Sequence, residues 1–307
     1  MDLETDDVEL VRSAESITHL HLLSILATEI GKRAQAGGRV RVLDAGCGNG
    51  HLLTFLQANL AALFPELEIE IHGYDVADHG VQAQDYFSTT LTWCRESCPA
   101  VLWEERLKLI TQDDAWPFDS DYFDFVISNQ VIEHVSDHRH FFAEHARVLK
   151  KGGCGAHLFP LRHYIYEGHL LIPLAHKISD WYFLRCYIRV MSRLGFGKYR
   201  RQNGGGLDEF SERHADYMMF FTNYLSHSEL MAVVKRSRLR PSLKYTVDFY
   251  RHKVRQLLGR DVVLKLDVDR RTGLGYWLSY HILKFVSSIT LFVENENTYQ
   301  RVQRDAS

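Results

Sequence analysis

The sequence predicts an α/β fold built on a doubly wound, mainly parallel sheet. Between residues 39 and 160, short apolar segments alternate with longer amphipathic stretches, and turns rich in glycine or aspartate separate them. Strands that alternate with helices pair in parallel, and helices cover both faces of the resulting sheet. The 307 residues, of which 46% are hydrophobic and 24% charged, are enough for one large core or two smaller ones.

The elements of this fold can be predicted in chain order. Residues 8–35 predict a helix, because apolar side chains recur on one face and Gly37-Gly38 follows. Aliphatic segments bounded by turns predict strands at residues 39–45, 69–75, 107–111, 123–128 and 155–159. The stretches between them predict helices at residues 51–63, 81–98 and about 137–150. Asp137 is suited to cap the last of these helices, and Lys150-Lys151-Gly152-Gly153 to end it.

The regular alternation stops at Pro160. Residues 161–225 are aromatic, basic and helix-like, which predicts a helical insertion after the fifth strand. From Ser226 the alternation returns with a helix (SHSELMAVVKRS), a candidate strand at residues 242–250 and a last apolar segment at residues 287–295. The predicted parts of the chain are an N-terminal helical segment, a ligand-binding core, the insertion and a C-terminal part that completes the sheet, at residues 1–38, 39–160, 161–225 and 226–307.

Composition argues against a membrane-spanning, secreted or disordered protein. The longest apolar stretches are shorter than the roughly 18–20 residues that a membrane span needs, and the acidic N-terminus shows no secretion signal. Five cysteines without a CxxC pair indicate reduced thiols and a cytoplasmic location. Residues 1–160 hold 12 Lys and Arg against 25 Asp and Glu, whereas residues 161–307 hold 24 against 14. Either the two halves neutralise each other, or the second half faces an anionic partner.

The strongest chemical signal is the loop DAGCGNG at residues 44–50, between a predicted strand and a predicted helix. Three glycines at alternate positions allow a sharp turn and a close approach to a ligand. The spacing differs from the G-x-G-x-x-G dinucleotide fingerprint, and the Gly-Lys-Ser/Thr of a P-loop is absent. Asp44 would repel a pyrophosphate, but it suits a ligand that carries an ammonium or sulfonium group.

Three further polar blocks follow predicted strands. Asp75 ends the second strand, where a carboxylate can accept hydrogen bonds from both hydroxyls of a ribose. Asp114, after the third strand, can accept one from the exocyclic amine of adenine. The block NQVIEHV occupies residues 129–135 after the fourth strand. All these positions lie at the carboxyl ends of parallel strands, where open α/β sheets bind ligands.

Together with RVLKKGG at residues 147–153, these blocks resemble the class I S-adenosylmethionine (SAM)-dependent methyltransferase superfamily, and most closely its small-molecule enzymes with methyltransferase domains of types 11 and 23. The resemblance implies a Rossmann-like, seven-stranded sheet whose last strand, residues 287–295, is antiparallel. It implies SAM as methyl donor and S-adenosylhomocysteine as product. The residues implied to hold the cofactor are Asp44, Gly46, Cys47, Gly48 and Gly50 at the methionine portion, Asp75 and Val76 at the ribose, Asp114 and Ala115 at the adenine, and Asn129 beside the sulfonium.

His134 is the candidate catalytic base for an in-line transfer to a hydroxyl, because it follows the fourth strand and titrates near neutral pH. The alternative is that His134 or Glu133 only caps a turn. His134, His138, His140 and His145 show no recognised ligand spacing, so no metal is expected. NQVI at residues 129–132 lacks the Pro-Pro-Tyr/Phe pattern of amino-methylating enzymes, which makes a nucleic-acid substrate less expected.

The acceptor is expected under a lid formed by residues 161–225, where Glu167, His169 and His176 stand among apolar residues and join Glu133 as candidate substrate-binding side chains. Similar Glu-x-His stretches occur in methyltransferases of saccharide biosynthesis, which suggests a small-molecule or saccharide acceptor. Arg185, Arg189 and Arg193 form a basic stripe for a phosphate group or an anionic membrane surface, or a solvated face. An RNA methyltransferase that uses the basic half and a non-catalytic SAM-binding subunit remain the alternatives.

Overall fold

The computed structural model describes residues 10–33, 35, 37–77, 85–201, 205–262, 264, 266 and 274–295. Seven strands form one sheet in the order β3-β2-β1-β4-β5-β7-β6. The strands are β1 Arg39–Ala45, β2 Glu68–Val76, β3 Leu107–Ile110, β4 Phe123–Asn129, β5 Leu149–Phe159, β6 Leu239–Ser242 and β7 Ile289–Asn295. Strands β1 to β5 pair in parallel, whereas β7 pairs antiparallel with both β5 and β6. The predicted doubly wound sheet with an antiparallel last strand is therefore confirmed.

Helices cover both faces of this sheet. They are α1 Ile17–Arg33, α2 His51–Leu63, α3 Tyr86–Ser97, α4 Trp103–Arg106, α5 His138–Val148, α6 Trp181–Arg193, α7 Leu207–Phe220, α8 His227–Arg236, α9 Thr246–Leu257 and α10 Leu274–Leu283. One apolar core packs α1 and α2 against the sheet, and a second packs α5 and α8 against the opposite face. Among the helices in the described ranges, none has the length and apolar character required to cross a membrane.

Three predicted helix boundaries differ from the structure. Helix α3 begins at Tyr86, and residues 81–84 of the helix predicted at 81–98 lie outside the described residues. Helix α1 begins at Ile17, because the backbone of Arg12 is hydrogen-bonded to the side chain of Asn59 and is not helical; residues 8 and 9 lie outside the described residues. Helix α5 has Asp137 as its N-cap, as predicted, but ends at Val148. Residues 150–153 belong instead to β5, where Lys150 binds Asp124 of the neighbouring strand at 2.8 Å.

The predicted strand at residues 242–250 is wrong. Strand β6 ends at Ser242, and α9 begins at Thr246. The aromatic and β-branched residues here favour a strand locally, but Thr246, Phe249 and Tyr250 are buried together at helical spacing. The hydroxyl of Thr246 also bonds to the backbone of Thr290 in β7, which fixes the helix against the sheet.

The stretch from residue 161 to residue 225 contains α6 and α7, which pack around an apolar cluster of their own. Two arginines of the basic stripe on α6 bind carboxylates of α7. Arg185 lies 3.2 Å from Glu212, and Arg189 lies 2.7 Å from Asp208. Much of the positive charge of this stripe is therefore neutralised within the two-helix unit.

Candidate functional site

The glycine loop after β1 has a backbone that only glycine adopts easily. Gly46, Gly48 and Gly50 have φ angles of +80°, +51° and +76°. A Cβ atom on Gly46 would lie 2.7 Å from Cγ2 of Val131, and one on Gly50 would lie 2.6 Å from Sγ of Cys94. The loop is thus packed from outside by the chain segments that follow β4 and β2.

Two carboxylates flank this loop in different environments. Asp75 accepts hydrogen bonds from the backbone N–H groups of Gly48 and of Val76, each at 2.7 Å, and so holds the loop against the end of β2. Asp44 is 1% exposed, and neither of its oxygens has a hydrogen-bond partner among the described residues. Burial, with the nearby charge of Asp75, raises the pKa of Asp44 well above its ordinary value. A buried carboxylate of this kind fits a cationic ligand such as the ammonium group of SAM.

Replacing Asp44 by Asn is expected to stabilise the SAM-free protein and to weaken SAM binding about 10- to 100-fold, the range for a lost charged hydrogen bond. The pKa of Asp44 in the native protein lies above the ordinary 3.8, so the unfolded chain loses this proton at a lower pH than the native protein does. The free energy of unfolding of the wild type therefore falls as the pH rises above 3.8. Urea unfolding of the wild type and of Asp44→Asn between pH 5 and pH 8 measures the difference in their free energies of unfolding. A stability gain of Asp44→Asn that does not grow with pH would contradict a raised pKa of Asp44 in the native protein.

A cavity lies beside the loop, at the point between β1 and β4 where the strand order reverses. It is lined by Gly46, Asp75, Val76 and His134 from the predicted set, together with Trp116 and Phe141. Crevices at such positions are the usual ligand sites of doubly wound sheets. The structure therefore brings the predicted ribose residues and the candidate base to one cavity.

The predicted adenine residues lie at the margin of this cavity. Asp114 and Ala115 are exposed and do not line it, although Thr111 and Gln112 do. The Asp114 carboxylate accepts a hydrogen bond from the Thr111 N–H at 2.8 Å, which lowers the pKa of Asp114. Its first contribution is therefore to shape the turn after β3.

Asn129 and Gln130 set the geometry at the end of β4. The Asn129 amide donates to the hydroxyl of Thr18 at 3.1 Å, and its carbonyl oxygen is buried without a partner among the described residues. Gln130 has a φ of +57°, and its amide donates to the carbonyl of Leu158 at 3.3 Å. This turn directs the next residues, including His134, toward the cavity. Gln130 belongs to the block NQVIEHV but was not predicted to shape this turn, and Thr18 was not predicted to contribute.

His134 contacts His169 of the segment after β5. Its Nδ1 donates to the carbonyl of Phe221 at 2.7 Å, and its Nε2 lies 3.2 Å from Nε2 of His169. His169 also lines a second cavity of about 850 Å³, whose other wall is α7. Since His134 lines the first cavity, the contact between the two histidines joins the wall of one cavity to the wall of the other. Phe221 and α7 lie within the predicted lid at residues 161–225, but neither was singled out as a contact of the candidate base.

Glu167 holds His169 in place from inside the protein. It is fully buried and accepts hydrogen bonds from His169 Nδ1 at 2.6 Å, the His169 and Leu170 N–H groups, and the Tyr224 hydroxyl. Burial alone would raise the pKa of Glu167, but the hydrogen bonds from His169 outweigh it and lower the pKa to about 2. Glu167 is therefore ionised, and its geometry is that of a residue that orients His169.

Glu133 lies beside the two histidines and is 1% exposed. Neither of its carboxylate oxygens has a hydrogen-bond partner among the described residues. Burial, with the charge of Glu167 nearby, raises its pKa to about 8. Ligand atoms of Glu133, His134 and His169 all lie within 4.8 Å of one another.

The other histidines considered in the sequence do not join this cluster. His138 bonds to the Ile132 carbonyl at 2.8 Å, His140 to the Asp114 carbonyl at 2.9 Å, and His145 to His157 inside the second core at 3.0 Å. His176 lines a separate basic depression with Arg162 and Lys177 and bonds to the Arg162 carbonyl. Of the predicted polar residues after β5, His169 therefore contacts His134 directly, and Glu167 binds His169 from behind.

Comparison with known proteins identifies one family. A family model described as a methyltransferase domain matches residues 17–204. No curated protein matches the chain. Similar solved structures include geranyl diphosphate C-methyltransferase from Streptomyces coelicolor, with 14% identity, a TM-score of 0.44 and coverage of 94% of this chain and 84% of that chain. A protein from Galdieria sulphuraria that is named as a sarcosine dimethylglycine methyltransferase has 14% identity, a TM-score of 0.42 and coverage of 94% of this chain and 93% of that chain. A SAM-dependent methyltransferase from Mesorhizobium loti has 12% identity, a TM-score of 0.45 and coverage of 89% of this chain and 99% of that chain.

Proposed function

We propose that this chain, which belongs to the methyltransferase-domain family and is a SAM-dependent methyltransferase, methylates a hydroxyl oxygen of a small-molecule or saccharide acceptor. SAM supplies an electrophilic methyl group on a sulfonium centre. The observation that carries the proposal is the contact between His134 in the wall of the first cavity and His169 in the wall of the second. A hydroxyl that enters from the second cavity would meet the histidine pair beside the methyl donor.

The first cavity is proposed to hold SAM. Asp44 and the loop Gly46-Cys47-Gly48-Asn49-Gly50 would hold the methionine portion. A buried carboxylate without a hydrogen-bond partner among the described residues fits its ammonium group, and a glycine backbone at positive φ allows its close approach. Asp75 and Val76 would face the ribose, Asp114 and Ala115 the adenine, and Asn129 the sulfonium.

His134 is proposed as the group that takes the proton of the acceptor. A carbonyl oxygen can only accept, so the contact with Phe221 keeps the proton of a neutral His134 on Nδ1 and leaves Nε2 as an acceptor. Alignment of the hydroxyl with the S–CH₃ bond supplies most of the acceleration, and proton removal adds about 10²- to 10⁴-fold. His169, oriented by Glu167, would position the hydroxyl.

The lining of the second cavity supports a neutral, hydroxyl-rich acceptor. Its volume of about 850 Å³ is within the range of small-molecule sites. Glu209, Glu212 and Asp216 line it against a single arginine, Arg213, which disfavours an anionic ligand. Tyr217 and Phe221 add aromatic surface of the kind that packs against sugar rings. The helices of residues 161–225 would thus form the acceptor lid.

The test is to incubate the purified protein with methyl-labelled SAM and fractionated cell extract, followed by a panel of free and nucleotide-linked sugars. We expect label in a small-molecule or saccharide fraction, with the methyl carbon bonded to oxygen by NMR. Label in RNase-sensitive material, or on nitrogen or carbon, would overturn the acceptor proposal. A Gly46→Val protein, in which the cavity is obstructed, is the matched control for labelling that does not depend on this site.

A further inference from the structure

Glu133, His134 and His169 bring three potential metal ligands close together. The two imidazole Nε2 atoms are 3.2 Å apart, and one ligand atom from each of the three residues lies within 4.8 Å of the other two. The carboxylate is buried and has no hydrogen-bond partner among the described residues. A buried carboxyl group without a hydrogen-bond partner is unfavourable as a carboxylate, and either a proton or a bound cation can balance its charge.

The protonation of the two histidines also calls for a cation. His134 Nδ1 faces the Phe221 carbonyl, and His169 Nδ1 faces the Glu167 carboxylate, so both Nδ1 atoms must carry hydrogen. In neutral imidazoles both Nε2 atoms then present lone pairs, and two lone pairs at 3.2 Å repel each other. Either a shared proton or a metal ion has to lie at this contact.

We propose that Glu133, His134 and His169 bind a divalent transition-metal ion, an inference that rests on the proposed function and concerns the same site. Two imidazoles and a carboxylate are the protein ligands of catalytic Zn²⁺ sites and of non-haem Fe²⁺ sites. Ligands about 2.1 Å from a tetrahedral ion are about 3.4 Å apart, close to the observed separation of the nitrogens. A carboxylate shift of at most about 1.5 Å completes the set.

The residues behind the cluster match the surroundings of metal-binding histidines. Such histidines usually donate the other ring N–H to a carboxylate or a backbone carbonyl, which fixes the tautomer. Here Glu167 and the Phe221 carbonyl occupy those two positions. Three protein ligands leave a coordination position open, and the ion would lie between the two cavities.

The acceptor hydroxyl would fill that open position. Coordination lowers the pKa of the hydroxyl, so the O–H electron pair stays on oxygen and the proton passes to solvent in the open second cavity. The oxygen pair then forms the O–CH₃ bond while the C–S bond breaks and its pair returns to sulfur. In this state His134 would be a ligand and would not take the proton, because the ion would make the hydroxyl acidic enough to lose it to solvent.

The test measures metal binding and methyl transfer separately. Protein treated with a chelator and then dialysed is titrated with Zn²⁺ by calorimetry and with Co²⁺ by visible absorption, and metal content is measured by mass spectrometry. We expect one ion per chain. Glu133→Gln and His169→Ala should each weaken binding at least about 100-fold, and Glu167→Gln about 10- to 100-fold. Glu133→Gln keeps the side-chain volume and breaks no hydrogen bond of the described residues, so the melting temperature of the metal-free protein should not fall.

His227→Ala, at the start of α8, is the matched control and should bind metal like the wild type. Binding that is sub-stoichiometric, or unchanged in Glu133→Gln and His169→Ala, would overturn the metal site. Full methyl transfer by chelator-treated protein would overturn the inference and leave the proposed function intact. Stoichiometric binding at these residues, with label found only on nitrogen or RNA, would uphold the metal site and overturn the proposed acceptor.

Discussion

Replacing His134 by Ala is expected to lower kcat by about 10²- to 10⁴-fold, the contribution of a positioned group that removes a proton. The affinity for SAM should remain within about twofold, since the loss of one transition-state contact changes kcat without changing ground-state binding. The loop that carries Asp44 and the three glycines is positioned by Asp75 and Val131, not by His134. Stopped-time assays with labelled SAM and calorimetric SAM binding measure the two quantities on one preparation.

SAM affinity also reports whether the His134→Ala protein is folded. The loss of the hydrogen bond to the Phe221 carbonyl should cost about 1 kcal/mol of stability, which leaves the fold intact. His227→Ala serves as the control and should retain wild-type turnover. Turnover within about threefold of the wild type in His134→Ala would remove His134 from the mechanism, because proton removal is worth far more than that.

A comparison of His134→Ala with His169→Ala separates the two roles of the pair. If His134 is a free base and His169 positions the acceptor, the loss in kcat should be much larger for His134→Ala. If both are metal ligands, the two variants should lose similar activity, together with metal binding. The 3.2 Å contact between the rings makes either role accessible to His134.

The sequence predicted the sheet and the position of the glycine loop because both depend on local information. Strand β1 and helix α2 fall at the predicted residues, since an aliphatic strand, an alternate-glycine turn and a helix are all specified within residues 39–63. The helix at Thr246 was missed because β-branched and aromatic residues favour a strand locally, and packing against Thr290 outweighs that preference.

The cluster around His134 could not be assembled from sequence, because its members are distant in the chain. His134 and His169 are 35 residues apart, and the Phe221 carbonyl that orients His134 is 87 residues away. These contacts depend on how the segment after α7 lies against the turn after β4, which no periodic pattern encodes. A backbone carbonyl, moreover, has no residue signature at all. Glu167 and His169 could be singled out only as polar groups in an apolar stretch.

The second large effect is expected at Gly46, where Gly46→Ala should reduce SAM affinity strongly. The added Cβ would lie 2.7 Å from Cγ2 and 2.9 Å from Cγ1 of Val131, closer than non-bonded carbon atoms approach. A φ of +80° adds about 1–2 kcal/mol of strain for a residue other than glycine. Since Gly46 lines the first cavity, relief of the clash must move either the loop or Val131. Calorimetric SAM titration would measure the resulting loss of SAM affinity.

The two causes of this loss can be separated with one further substitution. Val131→Ala removes both methyl groups that the new Cβ meets, so the double variant should regain part of the SAM affinity and retain only the backbone strain, a loss of about 5- to 30-fold. Gly48→Ala is the matched control, because a Cβ there meets nothing within 4 Å although φ is +51°. It should therefore show the strain alone. Equal losses in Gly46→Ala and Gly48→Ala, with no recovery in the double variant, would mean that close packing by Val131 does not shape the SAM site.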